Sequence, residues 1–234
     1  MAPAPLESLL RLLRTRLARW QQLGTKPERA AAMTLLTARD STVLDYLARD
    51  TLRQPDQTSC GSSSLVVARM IIDQGYAHRV LDGAGSPLIA QTIQERFAEA
   101  AQQMHERTNA LTAADAALQI PWPKALGTLP WAVARQLNID LPGAEYQVLL
   151  IDPARMAKAF TQVSEAVQRG FPVPLYVGDS ISPRHVVLAV ASGQNLTIYE
   201  PSSGGLRDLT ATSFTASALE VAGWDQPWLA VVPS

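Results

Sequence analysis

The feature that most constrains this fold is an apolar run from Leu65 to Ile72, interrupted by a single arginine. The run is too apolar for a helix that turns one face toward water. It follows a polar turn, residues 54–59, and the segment Cys60-Gly61-Ser62-Ser63-Ser64. We therefore predict a buried helix of about three turns that begins at Cys60 and ends at Gly75. A buried strand is the alternative, because periodicity alone does not separate the two.

Strand signals dominate the last third of the chain, where short segments are rich in β-branched and apolar residues. These segments are 146–151, 173–178, 185–191, 196–200 and 229–232. The turn Gly193-Gln194-Asn195 predicts that the third and fourth segments form a hairpin. Helix-forming sequence precedes the strands, and Asp152-Pro153 marks a further helix start, with Gly170 as its stop. Helices followed by strands predict an α+β fold, in which the helix bearing Cys60 packs on a C-terminal antiparallel sheet.

The N-terminal part has a different pattern. Residues 6–22 place leucines and Trp20 at helical spacing, with arginines between them. We predict an amphipathic basic helix here, as an extension over residues 1–27, followed by a single domain over residues 28–234. Such a stripe is typical of a helix that packs on its own domain. A docking or membrane-surface helix is the alternative.

Composition excludes several classes of function. The 20 basic and 21 acidic residues leave a net charge of -1, which gives no field to attract nucleic acid. The sequence lacks an apolar stretch long enough for stable membrane insertion. Ligand spacing for a metal and a glycine-rich phosphate loop are also missing, so we predict no cofactor. Without a cleavable signal, we expect a cytoplasmic protein, or one delivered by a signal-less secretion system.

Cys60 is the one cysteine of the chain, and two interpretations of its thiol compete. A lone cysteine is typically a small buried hydrophobe. At the N-terminus of a helix, however, free amides and the helix dipole stabilise a thiolate. Gly61 also lets the backbone come close to a substrate. A nucleophilic thiol needs a base, which one of the three histidines would supply.

His185 is the predicted base, because it opens the strand 185–191 and would be held rigidly at the sheet edge. A structural histidine is the alternative at this position. His105 lies in a polar helical segment and is predicted to be a solvated surface residue. His78 is predicted to lie in a loop after the helix that begins at Cys60.

A third group would orient the imidazole and stabilise its charged form. Glu200 ends the strand after the hairpin, so antiparallel pairing brings it beside His185. Asn195 and Asp179 are alternative orienting residues, and a solvated Glu200 without such a role is the structural alternative. An oxyanion donor is the last requirement, and Gln54 supplies an amide six residues before Cys60. Gln57 is its rival.

The pattern Gln54-x5-Cys60-Gly61-x3-Leu65 resembles the nucleophile motif of papain-like cysteine peptidases. The resemblance is closest to the bacteriocin double-glycine leader peptidases and their stand-alone bacterial relatives. In that family a histidine opens a strand and an Asp-Pro pair follows at the end of the next strand. Here His185-Val186-Val187 and Glu200-Pro201 take those places, and Gly127-Thr128-Leu129-Pro130-Trp131 resembles a segment of the stand-alone members.

The resemblance implies a papain-like fold with Cys60 as nucleophile, His185 as base and Gln54 as oxyanion donor. Glu200, where the family has aspartate, is a departure that leaves the third role open. The first functional hypothesis is a cysteine peptidase acting on a protein or peptide substrate. The second is an acyl transferase or glutamine deamidase, acting as a toxin or effector through the same thiol. The third is an inactive binding module, and a partner or immunity protein stays open in each case.

Overall fold

The computed structural model describes residues 41–83, 92–110, 127–141 and 143–234. All of these belong to one compact unit, Leu35–Ser234. The predicted basic helix of residues 6–22, the extension 1–27 and its boundary lie outside the described residues.

The described part contains helices before and between the strands of one sheet. The helices are α1 Ser41–Leu47, α2 Cys60–Ile72, α3 Gln74–Leu81, α4 Ile93–Asn109, α5 Pro130–Asp140, α6 Met156–Gln168 and α7 Ala211–Thr215. The strands are β1 Tyr146–Leu150, β2 Val173–Gly178, β3 Pro183–Ser192, β4 Leu196–Glu200, β5 Gly205–Leu209 and β6 Gln226–Pro233. The fold is therefore α+β, as the sequence predicted.

The six strands form one antiparallel sheet in the order β1-β6-β2-β3-β4-β5. The predicted hairpin joins β3 to β4, with Gly193 N–H donating to the Asn195 carbonyl at 2.9 Å. β5 was not predicted, because its sequence GLRDL exposes two charged side chains at the sheet edge.

Helices pack against both faces of the central strand β3. Val187 and Ala189 belong to an apolar cluster that also contains Ala159 and Val163 of α6. Val186 and Leu188 point to the opposite face, where α2 packs against β3. All four β3 side chains are buried, which explains the continuous apolar run in this strand.

The long apolar run forms a helix, as predicted, but the helix ends earlier than expected. α2 ends at Ile72, and Gly75 lies inside the next helix, α3. Asp73 separates the two helices because its side chain accepts a hydrogen bond from the Tyr76 N–H at 2.9 Å, which caps α3. His78 therefore lies in a helix and not in a loop.

Asp152-Pro153 begins a helix as predicted, first as a short 3-10 turn at Pro153–Arg155 and then as α6. The Asp152 side chain accepts from the Ala154 N–H at 2.9 Å, which is the expected N-cap contact. Gly170 follows α6 with a φ of 93°, a conformation that favours glycine. Its position agrees with the predicted stop.

Candidate active site

The Cys60 thiol lies at the N-terminus of α2, the end where backbone N–H groups lack intrahelical partners. Cys60 is buried, with 5% of its surface exposed. The serines at 62, 63 and 64 are fully buried, so small side chains let this first turn pack closely against the sheet. Ser62 Oγ donates to the Ser59 carbonyl at 3.0 Å. The nucleophile candidate thus sits on a rigid element whose dipole favours negative charge.

Gly61 has no space for a side chain. A Cβ at this position would lie 2.8 Å from the Cβ of Thr128 and 3.0 Å from its Oγ1. Thr128 belongs to the segment before α5, so that segment packs directly against the residue that follows Cys60. Glycine is needed at 61 for this close approach.

His185 lies in β3, where it pairs with Val177 of β2. Its Nε2 lies 2.8 Å from Glu200 Oε1, and both side chains are nearly covered, at 8% and 5% exposure. The Cys60 side chain lies near the same imidazole, close enough to raise the pKa of His185 through hydrogen-bonding and charge interactions. Because Nε2 is engaged by Glu200, Nδ1 is the nitrogen that remains for Cys60. The structure therefore brings Cys60, His185 and Glu200 together in one buried row.

The charged form of His185 is stabilised in this row. Burial alone would lower the pKa of the imidazole, but its hydrogen bonds and charge interactions with Cys60 and Glu200 outweigh burial and raise the pKa to about 9. The ring is then an imidazolium at neutral pH.

Glu200 is held by more contacts than His185 alone provides. Its Oε1 accepts from Ser202 N–H at 2.8 Å and from Ser202 Oγ at 2.6 Å. Its Oε2 accepts from Ser203 N–H at 2.8 Å. Burial would raise the pKa of this carboxyl, but the donors from His185, Ser202 and Ser203 hold it well below its usual range. The turn after β4 thus accommodates the longer glutamate side chain.

Gln54 lies beside this same turn. Its backbone N–H donates to the Pro201 carbonyl at 2.8 Å, two residues after Leu52 N–H donates to the Gly204 carbonyl at 3.3 Å. The side-chain amide donates to the Asp56 carbonyl at 2.7 Å. Gln54 Oε1 is buried and has no hydrogen-bond partner among the described residues. The backbone of Gln54, the predicted oxyanion donor, is therefore fixed at the turn after β4 that holds Glu200. One hydrogen of its side-chain amide is donated to Asp56.

The alternative residues lie elsewhere or are used differently. Asp179 Oδ1 accepts from the Ile181 and Ser182 N–H groups, each at 2.8 Å, and its Oδ2 contacts Arg184. Asn195 lies in the hairpin turn, at the opposite end of β3 from His185. Gln57 has an exposed side chain. In the described part of the chain, none of these three residues is hydrogen-bonded or ion-paired to His185 or Cys60.

The other two histidines are not at the site. His78 is exposed and its Nδ1 lies 2.7 Å from Asp82 Oδ2, one turn along α3. His105 is buried at 6% exposure, so its prediction as a surface residue was wrong. Burial disfavours the charged form of Asp56 in the loop before α2, but hydrogen bonds from Thr58 and Ser59, with a smaller electrostatic contribution from His105, hold the pKa of Asp56 below its ordinary value.

Sequence reasoning did not single out Ser202, Ser203 or Tyr176. Tyr176 Oη donates to the Thr128 carbonyl at 2.8 Å, and burial raises the pKa of its phenol well above the usual value. The two serines directly follow Glu200-Pro201. A serine pair after a strand-end carboxylate is a turn signal that could have indicated these contacts.

No protein-family model matches the chain, and no curated protein shows significant similarity to it. Within the described ranges, no three His, Cys, Asp or Glu side chains lie close enough together to hold a metal ion. Among the helices in those ranges, none has both the length and the apolar character to cross a membrane.

Proposed function

We propose that this chain is a cysteine peptidase with a papain-like arrangement of its site. Cys60 is the nucleophile, His185 the acid and base, Glu200 the residue that orients His185, and Gln54 an oxyanion donor. One observation carries the proposal: a buried imidazole lies 2.8 Å from a carboxylate oxygen and near a thiol, and both groups raise its pKa. A thiol, a base and an orienting acid in this order are the requirements of nucleophilic catalysis.

The arrangement of elements supports the papain-like interpretation. The thiol lies at the start of α2, and the other two side chains lie on the neighbouring strands β3 and β4 of an antiparallel sheet. A site built on a helix end and two paired strands has little freedom to change its geometry. Such rigidity keeps reacting groups aligned without reorganisation during catalysis.

The reaction follows from the proton positions. The Cys60 thiolate attacks the substrate carbonyl carbon, and the electron pair of the C=O bond moves to oxygen. The carbonyl then re-forms as the C–N bond breaks, and the His185 imidazolium gives its Nδ1 proton to the leaving amine. His185 next takes a proton from water, which attacks the thioester and expels the Cys60 thiolate. Glu200 accepts from Nε2–H throughout and keeps the ring oriented.

Gln54 supports this reaction through the second hydrogen of its side-chain amide, since only one is given to Asp56. Its backbone contact with Pro201 connects the Gln54 loop to the turn that holds Glu200. A substitution that moves one of these loops should therefore move the other.

The test is digestion of a peptide library by the full chain, followed by mass spectrometry of the products. We expect new peptide termini that require both Cys60 and His185, with Cys60→Ala and His185→Ala as inactive controls and His78→Ala as the matched active control. Mass changes on glutamine side chains without backbone cleavage would instead assign the site to deamidation or acyl transfer. A library left unchanged by the wild-type chain would contradict both the peptidase and the deamidase or acyl transferase, and would favour a binding module.

A further inference from the structure

Thr128 carries a buried hydroxyl that lacks a hydrogen-bond partner among the described residues. Its side chain is 5% exposed, and the oxygen itself is covered. Buried hydroxyls normally find a partner, so an exception in a native protein requires a reason.

The hydroxyl lies beside the residue that follows the nucleophile candidate. Thr128 Oγ1 would be 3.0 Å from a Cβ at Gly61, the residue that directly follows Cys60. The N-terminus of α2 presents backbone N–H groups at the same place, because the N–H of Ser63 is the first with an intrahelical partner, the Ser59 carbonyl. The Thr128 hydroxyl and the free amide groups of the first α2 turn thus lie against the residue next to Cys60.

The backbone around Thr128 is fixed. Its carbonyl accepts from Tyr176 Oη of β2 at 2.8 Å. The preceding residue, Gly127, has a φ of 75°, a conformation that favours glycine, and lies near the Thr58 carbonyl. The backbone of Thr128 is therefore held between β2 and the loop before α2.

Valine has nearly the same shape as threonine and no polar group. Packing against Gly61 alone would be served better by valine, because an unpartnered buried hydroxyl costs stability. A locally unfavourable residue at a site is expected where the group acts in the reaction.

We propose that the Thr128 hydroxyl donates a hydrogen bond to the substrate carbonyl oxygen while its carbon is bonded to Cys60. The inference rests on the proposed thiol chemistry and adds a third donor to the Gln54 amide and the α2 N-terminus. In the step concerned, the thiolate sulfur bonds to the carbonyl carbon and the π electron pair moves to oxygen, where the hydroxyl meets it. Catalytic hydrogen bonds often form only in the reacting complex, which fits a donor covered in the free protein.

The test compares two reactions of the same thiol in the full-length chain. Iodoacetamide alkylates the thiolate by displacing iodide and creates no oxyanion. p-Nitrophenyl acetate acylates the thiol through a tetrahedral oxyanion and releases p-nitrophenolate, which is measured as a burst. We expect Thr128→Val to slow acylation on the order of 10- to 100-fold, with alkylation unchanged and thermal stability equal or higher. Thr128→Ser keeps the donor and should retain acylation within about threefold.

Each other outcome counts against the inference. Wild-type acylation in Thr128→Val would overturn it, as would an equal loss of both reactions with a lower Tm or a chain that fails to fold, because the residue would then serve packing. If the wild-type thiol is inert to both reagents, the proposed thiol chemistry fails first and the inference falls with it. A reactive wild type with an unaffected valine variant removes the inference alone.

Discussion

Two turns of this protein hold a carboxylate in the same way, and only one of them lies in the candidate site. In the turn after β2, Asp179 accepts from the backbone N–H groups of Ile181 and Ser182. In the turn after β4, Glu200 accepts from the N–H groups of Ser202 and Ser203. Each carboxylate also contacts a basic side chain, Arg184 in the first turn and His185 in the second.

Burial distinguishes the two pairs. The Arg184 and Asp179 side chains are 48% and 33% exposed, whereas those of His185 and Glu200 are 8% and 5% exposed. Water screens the first pair, so its energetic contribution is small. The second pair is removed from water, and breaking it leaves an unpaired buried group. Similar backbone contacts hold both carboxylates, but only Glu200 is buried, and only its basic partner lies near the Cys60 thiol.

Among the variants of these two turns, Glu200→Gln should have the largest effect on stability and on the reactivity of Cys60. An amide offers one acceptor oxygen in place of two, so at least one donor among His185, Ser202 and Ser203 loses its partner. We expect a loss of about 3 kcal/mol in the free energy of unfolding. Alkylation of Cys60 at pH 6 should slow at least about tenfold. Urea unfolding and iodoacetamide kinetics measure the two effects.

Asp179→Asn is the matched control for that variant, because it makes the same change in the exposed turn. We expect its Tm to stay within about 2 °C of wild type and its alkylation rate to be unchanged. Equal losses in both variants would show that burial does not separate the two turns.

The second effect concerns pH. The folded-state pKa of His185 is raised from 6.5 to about 9, so the pair's stabilisation is fully present below pH 6.5 and is lost as pH rises through about 9. We expect the wild-type Tm to fall between pH 7 and pH 10. His185→Gln should lack this component of the fall. A wild-type profile that matches the variant over this range would contradict the raised pKa.

Ser202→Ala tests one contact of the Glu200 carboxylate and should have a smaller effect than Glu200→Gln. The variant removes the hydroxyl that donates to Glu200 Oε1 at 2.6 Å but keeps the backbone contact. A loss of about 1 kcal/mol in the free energy of unfolding is expected, with alkylation slowed by about twofold to threefold.

Ser203→Ala is the comparison for Ser202→Ala, since the Ser203 hydroxyl donates to the Glu200 backbone carbonyl at 3.3 Å and lowers the pKa of the carboxyl less than Ser202 does. Its effect on alkylation should be smaller than that of Ser202→Ala. A larger effect at Ser203 than at Ser202 would mean that the turn backbone, not the carboxylate, controls the site.

The sequence predicted the elements with strong local signals. The apolar run marked α2, β-branched segments marked five of the six strands, and the turn at Gly193 set the β3–β4 hairpin. These predictions were confirmed because periodicity and turn residues act over a few neighbouring positions. The proximity of Glu200 to His185 followed from the hairpin alone.

Other features depend on contacts between distant segments. His105 lies in a polar stretch, yet tertiary packing buries it. Gln54 lies at the turn after β4 because its backbone N–H donates to the distant Pro201 carbonyl, a contact that its neighbours in sequence did not reveal. β5 is an edge strand that pairs with β4, and its charged side chains give its sequence no strand pattern. Each was decided by packing, not by pattern.

The central claim is that Cys60 and His185 form a thiolate–imidazolium pair. The most direct test is the rate of Cys60 alkylation by iodoacetamide from pH 5 to pH 9, in wild type, His185→Ala and the exposed control His78→Ala. We predict ready alkylation well below pH ~8.5, where an ordinary thiol ionises, in wild type and His78→Ala, and its loss in His185→Ala. An inert thiol, or a pH profile that does not depend on His185, would contradict the account.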